Sequence, residues 1–142
     1  MHEEQTGAAE DYAKIQDSPL TEAVETMEMA IARQSWSDVA RYVSDDILYK
    51  VGGRAPVFGV QGICDYMRWQ NSFVRWDGHD IRMKFSRGNT VVIEADSRFT
   101  RVADGAKLVV PCTDVYTFEE ERIADWRVYA DTSVFVGRGL AG

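Results

Sequence analysis

The chain has 142 residues, 45% hydrophobic, 27% charged and 11% aromatic, which suits one globular domain and leaves no room for two ordinary ones. The net charge is −7, from 23 acidic and 16 basic residues. The basic residues are scattered, which argues against nucleic acid or an anionic membrane as partner. No apolar run approaches the roughly 20 residues of a membrane span, and the acidic start MHEEQTGAAEDYAK lacks a secretory pattern.

Residues 1–17 carry no periodicity and read as a flexible tail, with a single domain over 18–142. Ser18-Pro19 signals a helix start, Ser as N-cap and Pro in the first turn. Leu20, Val24, Met27 and Ile31 then repeat on one helical face. Ser35 and Asp38 form a box-like start for a short second helix that buries Val39, Ala40 and Val43. Ile47 to Val51 reads as a short strand, broken by Gly52, Gly53 and Pro56. A third helix spans about Val60 to Phe73, and Asp77-Gly78 ends that region. In the next segment His79, Ile81, Met83 and Phe85 alternate with Asp80, Arg82, Lys84 and Ser86, predicting a strand with one apolar and one charged face. Gly88-Asn89 turns into a long strand, Thr90 to Val102. Asp104-Gly105 makes a hairpin to the strand Lys107–Phe118. Glu119 to Glu121 turn the chain into a last strand, Arg122 to Asp131. Helices first and antiparallel strands later indicate an α+β fold, not a doubly wound one.

Alternation also proposes which side chains share a face. On the 107–118 strand the more apolar set is Leu108, Val110, Cys112, Asp114, Tyr116 and Phe118, which is placed on the concave side. The matching set on the preceding strand is Val91, Ile93, Ala95, Ser97 and Phe99, with Glu94, Asp96 and Arg98 outside. Trp126, Val128 and Ala130 are the inner set of the last strand, and Ile47, Tyr49 and Val51 that of the short one. Asp114 stands out as a carboxylate on an apolar face. Such a group must be hydrogen-bonded, paired or held neutral, because burying it ionised and alone costs several kcal/mol. Tyr49 and Tyr116 are the nearest sensible donors. A neutral Asp beside tyrosines donates to a carbonyl or epoxide oxygen, and an ionised one is a general base. A carboxylate bonded within the core as a structural link is the plainer alternative.

The order of elements resembles the nuclear-transport-factor-2-like superfamily, which includes ketosteroid isomerase, limonene-epoxide hydrolase and the SnoaL-type polyketide cyclases. The stretches that carry the resemblance are SWSDVARYVSDDILYKVGGRAPVFGVQGICDYM, NTVVIEADSRFTRVADGAKL and DVYTFEEERIADWRVYADTSVF. It implies a cone: a curved, mostly antiparallel sheet wrapped around N-terminal helices, enclosing a deep apolar pocket. It also implies dimerisation through the outer sheet face, where Val92, Val109 and Val115 stand among Thr90, Thr113 and Thr117. Asp114 falls where ketosteroid isomerase has its oxyanion-hole aspartate. The base position of that enzyme falls at Lys50 and its first-helix tyrosine near Met27, so two of three parts are absent. The epoxide-hydrolase positions read Ala95, Ser97 and Val128, with Tyr49 matching and Val51 in place of an asparagine. A one-residue bulge would bring Asp96 and Arg98 inward instead. The cyclase aspartate near the end of the last strand matches Asp131 loosely, where Asp131-Thr132-Ser133 also reads as a turn cap.

Three readings follow. The first is a small cofactor-independent enzyme acting by acid–base catalysis on an apolar ketone- or polyketide-like ligand, as isomerase, cyclase or dehydratase, with epoxide opening as alternative. Its candidate catalytic residues are Asp114, Tyr49, Tyr116 and Asp131. Trp126, Val128, Phe99, Ser97, Cys112, Phe58 and Met67 are the candidate ligand-binding residues. The second is a non-catalytic binding domain with the same pocket, and the third a dimerisation module. No metal site is expected, since His2 and His79 belong to no ligand pattern. Cys112 reads as an inert core thiol, His79 as a packed or capping residue. Cys64 and Cys112, without a CxxC, read as reduced thiols of a cytoplasmic protein.

Overall fold

Ser18 fixes where the first helix begins in the computed structural model, which describes residues 14–136. Its hydroxyl accepts from the Thr21 amide at 3.2 Å, and the Thr21 hydroxyl accepts from the Ser18 amide at 2.8 Å, a reciprocal capping box. Helix α1 (Pro19–Ala32) then buries Val24, Met27 and Ala30. Helix α2 (Trp36–Tyr42) starts differently, because the Ser35 hydroxyl donates to Asp38 at 2.8 Å and caps no backbone amide. Val43, expected in that helix, is extended (φ −120, ψ 150) and opens strand β1 (Val43–Val51), where it pairs with Ile123. Next come β2 (Val57–Phe58), α3 (Gly59–Asn71), β3 (Val74–Arg87), β4 (Thr90–Arg101), β5 (Lys107–Glu119) and β6 (Arg122–Ala130), then a 3-10 turn, Thr132–Phe135.

The six strands form one curved sheet in the order β2-β1-β6-β5-β4-β3. Only β1 and β6 run parallel, so the sheet is mostly antiparallel and the fold is α+β. The helices cover one face. Met27 and Val24 of α1 and Ile63 of α3 meet Ile47, Val91, Tyr116 and Ile123 of the sheet, all essentially without solvent contact. A smaller cluster of Val74, Phe99, Val110 and Phe135 closes the other end. Among the described residues no helix is long and apolar enough to cross a membrane.

Strand β3 departs most from its expected pattern. It begins at Val74, five residues before His79, and Asp77-Gly78 lies within it rather than ending the region. The register against β4 slips twice, between Trp76 and Gly78 and between Ile81 and Met83, leaving Asp77 and Arg82 as extra residues. Gly78 takes φ +116, a conformation closed to residues with a Cβ. Each slip changes which parity faces inward. His79 and Ile81 oppose the inward Ser97 and Ala95 as expected, but beyond Arg82 it is Lys84 and Ser86 that oppose the inward Ile93 and Val91. Lys84, expected on the charged outer face, is therefore inside, its side chain 7% exposed, with its ammonium 2.6 Å from Glu25 and 2.7 Å from Asp17. Met83 and Phe85 take the outer face.

Residues 14–17, expected in the tail, lie along this strand. Lys84 donates its amide to the Lys14 carbonyl at 2.6 Å, and the Gln16 amide donates to the Lys84 carbonyl at 2.7 Å. Ile15 thus forms a parallel bridge to Lys84. The rest of the expected tail, 1–13, lies outside the described residues.

Candidate active site

Between the concave face, α1, α3 and the C-terminal 3-10 turn lies a cavity of about 470 Å³, within the usual range for a small-molecule site. Alternation builds its walls. On β4 the inward Ile93, Ala95, Ser97 and Phe99 line it, and the continuous β4–β5 register sets Val110, Cys112 and Asp114 beside them. Trp126 and Val128 of β6 continue the surface.

The β5–β6 pairing explains what surrounds Asp114. Tyr116 stands opposite Trp126, and Asp114 opposite Val128. The Trp126 ring stacks on Tyr116 with centroids 5.2 Å apart. From there its indole N–H reaches Asp114 Oδ2 at 3.0 Å, and the Tyr116 hydroxyl lies 3.1 Å from the same oxygen. Burial raises the Asp114 carboxyl to about 6, the two hydrogen bonds holding it back from rising further. Asp114 is itself one of the residues that line the cavity.

A second carboxyl completes the group. Glu28 of α1 lines the cavity and is hydrogen-bonded to the Tyr116 hydroxyl. Burial, then the charge of Asp114, pushes it up to about 8. Among the described residues neither carboxyl has a cationic partner within ion-pair distance, so two acids meet in a desolvated site with only one phenol and one indole between them. The tyrosines stay neutral, since burial moves both Tyr49 and Tyr116 well above their ordinary range. Cys112 is raised to about 11 by burial, and its sulfur lies 3.2 Å from the Ser97 hydroxyl, which describes a protonated, unreactive thiol.

The structure gathers Asp114, Trp126, Tyr49, Met67, Ser97, Phe99, Cys112 and Val128 around this one cavity, with Tyr116 fully buried and hydrogen-bonded to Asp114 but not part of the lining. It changes some of their expected contacts. Tyr49 makes no hydrogen bond to Asp114; its ring packs 4.4 Å from Trp126, and Trp126, expected only as a wall, is the donor. Phe58 is 60% exposed on the short edge strand and does not line the cavity. Asp131 is exposed and caps the 3-10 turn, accepting from the Ser133 amide at 3.0 Å; the Ser133 hydroxyl and then its amide lower the Asp131 pKa. Asp96 and Arg98 stay outside in ion pairs with Arg82 and Asp80, because both bulges fall on β3 and leave the β4 alternation unbroken. His79 lines the cavity with its ring against Trp76, and burial lowers its pKa.

Glu28 was not among the residues expected here. The signal was available: it lies four residues after Val24 and three before Ile31, which puts it on the same helical face as the apolar stripe.

The SnoaL-like domain model matches residues 23–126. No curated protein sequence matches the chain. Among solved structures, an NTF2-like protein of unknown function from Burkholderia pseudomallei is 16% identical with a TM-score of 0.74, over 84% of this chain and 96% of that one. An LEH-like epoxide hydrolase from M. tuberculosis is 20% identical with a TM-score of 0.65, over 86% and 89%. TerC, crystallised with polyporic acid, is 16% identical with a TM-score of 0.70, over 83% and 95%. At these identities the structures show a shared fold, that of the nuclear-transport-factor-2-like superfamily. With most of its length matched by the family model, the chain belongs to the SnoaL-like domain family.

Proposed function

We propose that this protein is a cofactor-independent acid–base catalyst acting on an apolar ketone- or polyketide-like molecule, as an isomerase, cyclase or dehydratase. The observation that carries the reading is Asp114, a carboxyl facing a largely apolar cavity and held by the Trp126 and Tyr116 donors with no cation beside it. A carboxyl raised to about 6 is mostly ionised at neutral pH yet more basic than an ordinary aspartate. It removes a proton from the carbon next to a substrate carbonyl while the aromatic walls exclude water. TerC, which shares this fold, is co-crystallised with polyporic acid, in keeping with a small-molecule role for the cavity. The epoxide-opening alternative loses support, because Asp96 and Arg98 point away and the inward positions hold Ala95 and Ser97.

The test is hydrogen–deuterium exchange at the α-carbon of a panel of cyclic aryl ketones in D₂O, followed by proton NMR. Exchange that Asp114→Asn abolishes supports the reading. Ligands that raise the melting temperature without exchanging would make this a binding domain, and no ligand effect at all would leave an interaction module. We further place the protein in the cytoplasm as a homodimer formed through the outer sheet face. There Val109 is 64% and Tyr129 57% exposed beside the outward Val92 and Val115. A monomeric mass by light scattering would overturn the dimer.

A further inference from the structure

We infer that Glu28, Tyr116 and Asp114 share a single proton and form a two-carboxyl relay, with Glu28 the acid and Asp114 the base. The inference rests on the carbonyl acid–base reading above and adds its second catalytic group.

Hydrogen counting makes the argument. The Tyr116 hydroxyl lies within hydrogen-bond reach of both Glu28 and Asp114, and it has one hydrogen to donate. If both carboxyls were ionised, the phenol oxygen would meet one of them lone pair against lone pair, and two negative charges would stand in one desolvated site without a cation. One carboxyl must therefore carry a proton. Asp114 has two donors, Tyr116 and Trp126, whereas among the described residues Tyr116 is the one hydrogen-bond partner of Glu28. The ionised form is better supported at Asp114, so the proton sits on Glu28. The chain then has one direction: Glu28 O–H donates to the Tyr116 oxygen, and Tyr116 O–H and Trp126 N–H donate to Asp114. The groups around the pair do not reverse this. Glu25 on α1 adds negative charge to Glu28 and is itself held by Lys84, while Tyr49 on β1 and Cys112 on β5 are neutral.

Both residues line the same cavity, and in this proposal one bound molecule meets both carboxyls. In the forward step the substrate C–H bond breaks and its proton passes to Asp114. The electron pair left on carbon forms the enolate double bond, and the carbonyl π pair moves to oxygen. Glu28 gives its proton to the enolate, on oxygen or on a conjugated carbon. The site now holds Glu28 ionised and Asp114 protonated. Asp114 returns its proton to the Tyr116 oxygen as the Tyr116 hydrogen passes to Glu28, restoring the resting state with no net gain or loss. A proton is taken at one atom and delivered at another, which assigns the substrate class as ketones that tautomerise or close a ring through an enol.

The test is carbon-detected NMR of the Asp and Glu carboxyls from pH 4 to 10, on wild type, Glu28→Gln, Asp114→Asn and Tyr116→Phe. Glu28 should titrate near 8, with a lesser inflection where Asp114 titrates near 6. Asp114→Asn should lower the Glu28 midpoint by about one pH unit or more. Glu28→Gln, which keeps the shape, should remove the upper inflection and leave the Asp114 midpoint in place. Tyr116→Phe should abolish the lesser inflection at Glu28. In the ketone-exchange assay, Glu28→Gln should lower the rate roughly tenfold or more and abolish the alkaline limb of the pH profile. A Glu28 midpoint near 4.5, indifferent to Asp114→Asn, would overturn the shared proton even if exchange proceeds. Coupled titrations with no exchange on any ketone would instead sink the carbonyl reading and leave the shared proton standing.

Discussion

Glu25 and Glu28 leave the same helix three residues apart and meet opposite surroundings. Glu25 reaches Lys84, an ammonium brought inside by the Arg82 bulge and shared with Asp17. Glu28 reaches Tyr116 and, behind it, a second carboxyl. The first arrangement pairs its carboxylate with a cation and ties α1 to the sheet edge. The second sets two acids without a counter-ion against a cavity, which costs stability and marks a candidate functional site. One helix thus carries a structural clasp and one member of the proposed reactive pair on adjacent turns.

Several variants would break or sharpen this contrast. The largest effect is expected for Asp114→Asn, a loss of roughly 100-fold or more in ketone exchange with unchanged or higher resistance to urea. Lys84→Met should do the reverse. It should cost about 2 kcal/mol in urea denaturation, because it strips Glu25 and Asp17 of their counter-ion, while exchange activity survives. Third, the two ends should differ in pH dependence. Glu28 and Asp114 have folded pKa values above their unfolded ones, so the native state binds more protons than the unfolded state between about pH 4 and 8. Stability should therefore fall as pH rises through that window, and the double variant Glu28→Gln with Asp114→Asn should gain about 1 kcal/mol or more over wild type at pH 8. The Lys84 contribution should stay flat there, since its pKa is raised above 10.5 and its stabilisation is lost only at higher pH. The smallest effect is expected for Glu25→Gln. Its side chain is partly open to water and Asp17 still holds Lys84, so urea midpoints should report under about 1 kcal/mol.

The difference between these ends also marks how far the sequence could be read. Asp114 was legible because strict alternation on β5 put a carboxyl among Val110, Cys112, Tyr116 and Phe118, and nothing interrupts that alternation. The fold was legible for the same reason: helix periodicity in α1 and α3 and long alternating strands leave one plausible layering. Lys84 was not legible, because a bulge shifts parity without any change in composition; Asp77-Gly78 looked like a stop and Arg82 like one more surface charge. Trp126 was assigned to the correct wall, but only the β5–β6 register sets its N–H against Asp114. Glu28 was hidden by its chemistry, since an acid on a helix flank ordinarily means solvent. Its partner, Tyr116, lies 88 residues away in the sequence.

The parallel pairing of residues 14–16 along β3 has a consequence for how copies of this protein meet. A sheet rim with free amides and carbonyls recruits strands from other molecules. Here one rim is the two-residue β2, too short to template anything. The other is β3, kinked by two bulges and covered at Lys84 by the protein's own leading segment. Both rims are thereby blunted against strand-to-strand polymerisation, which leaves the broad face for the closed pairing proposed above.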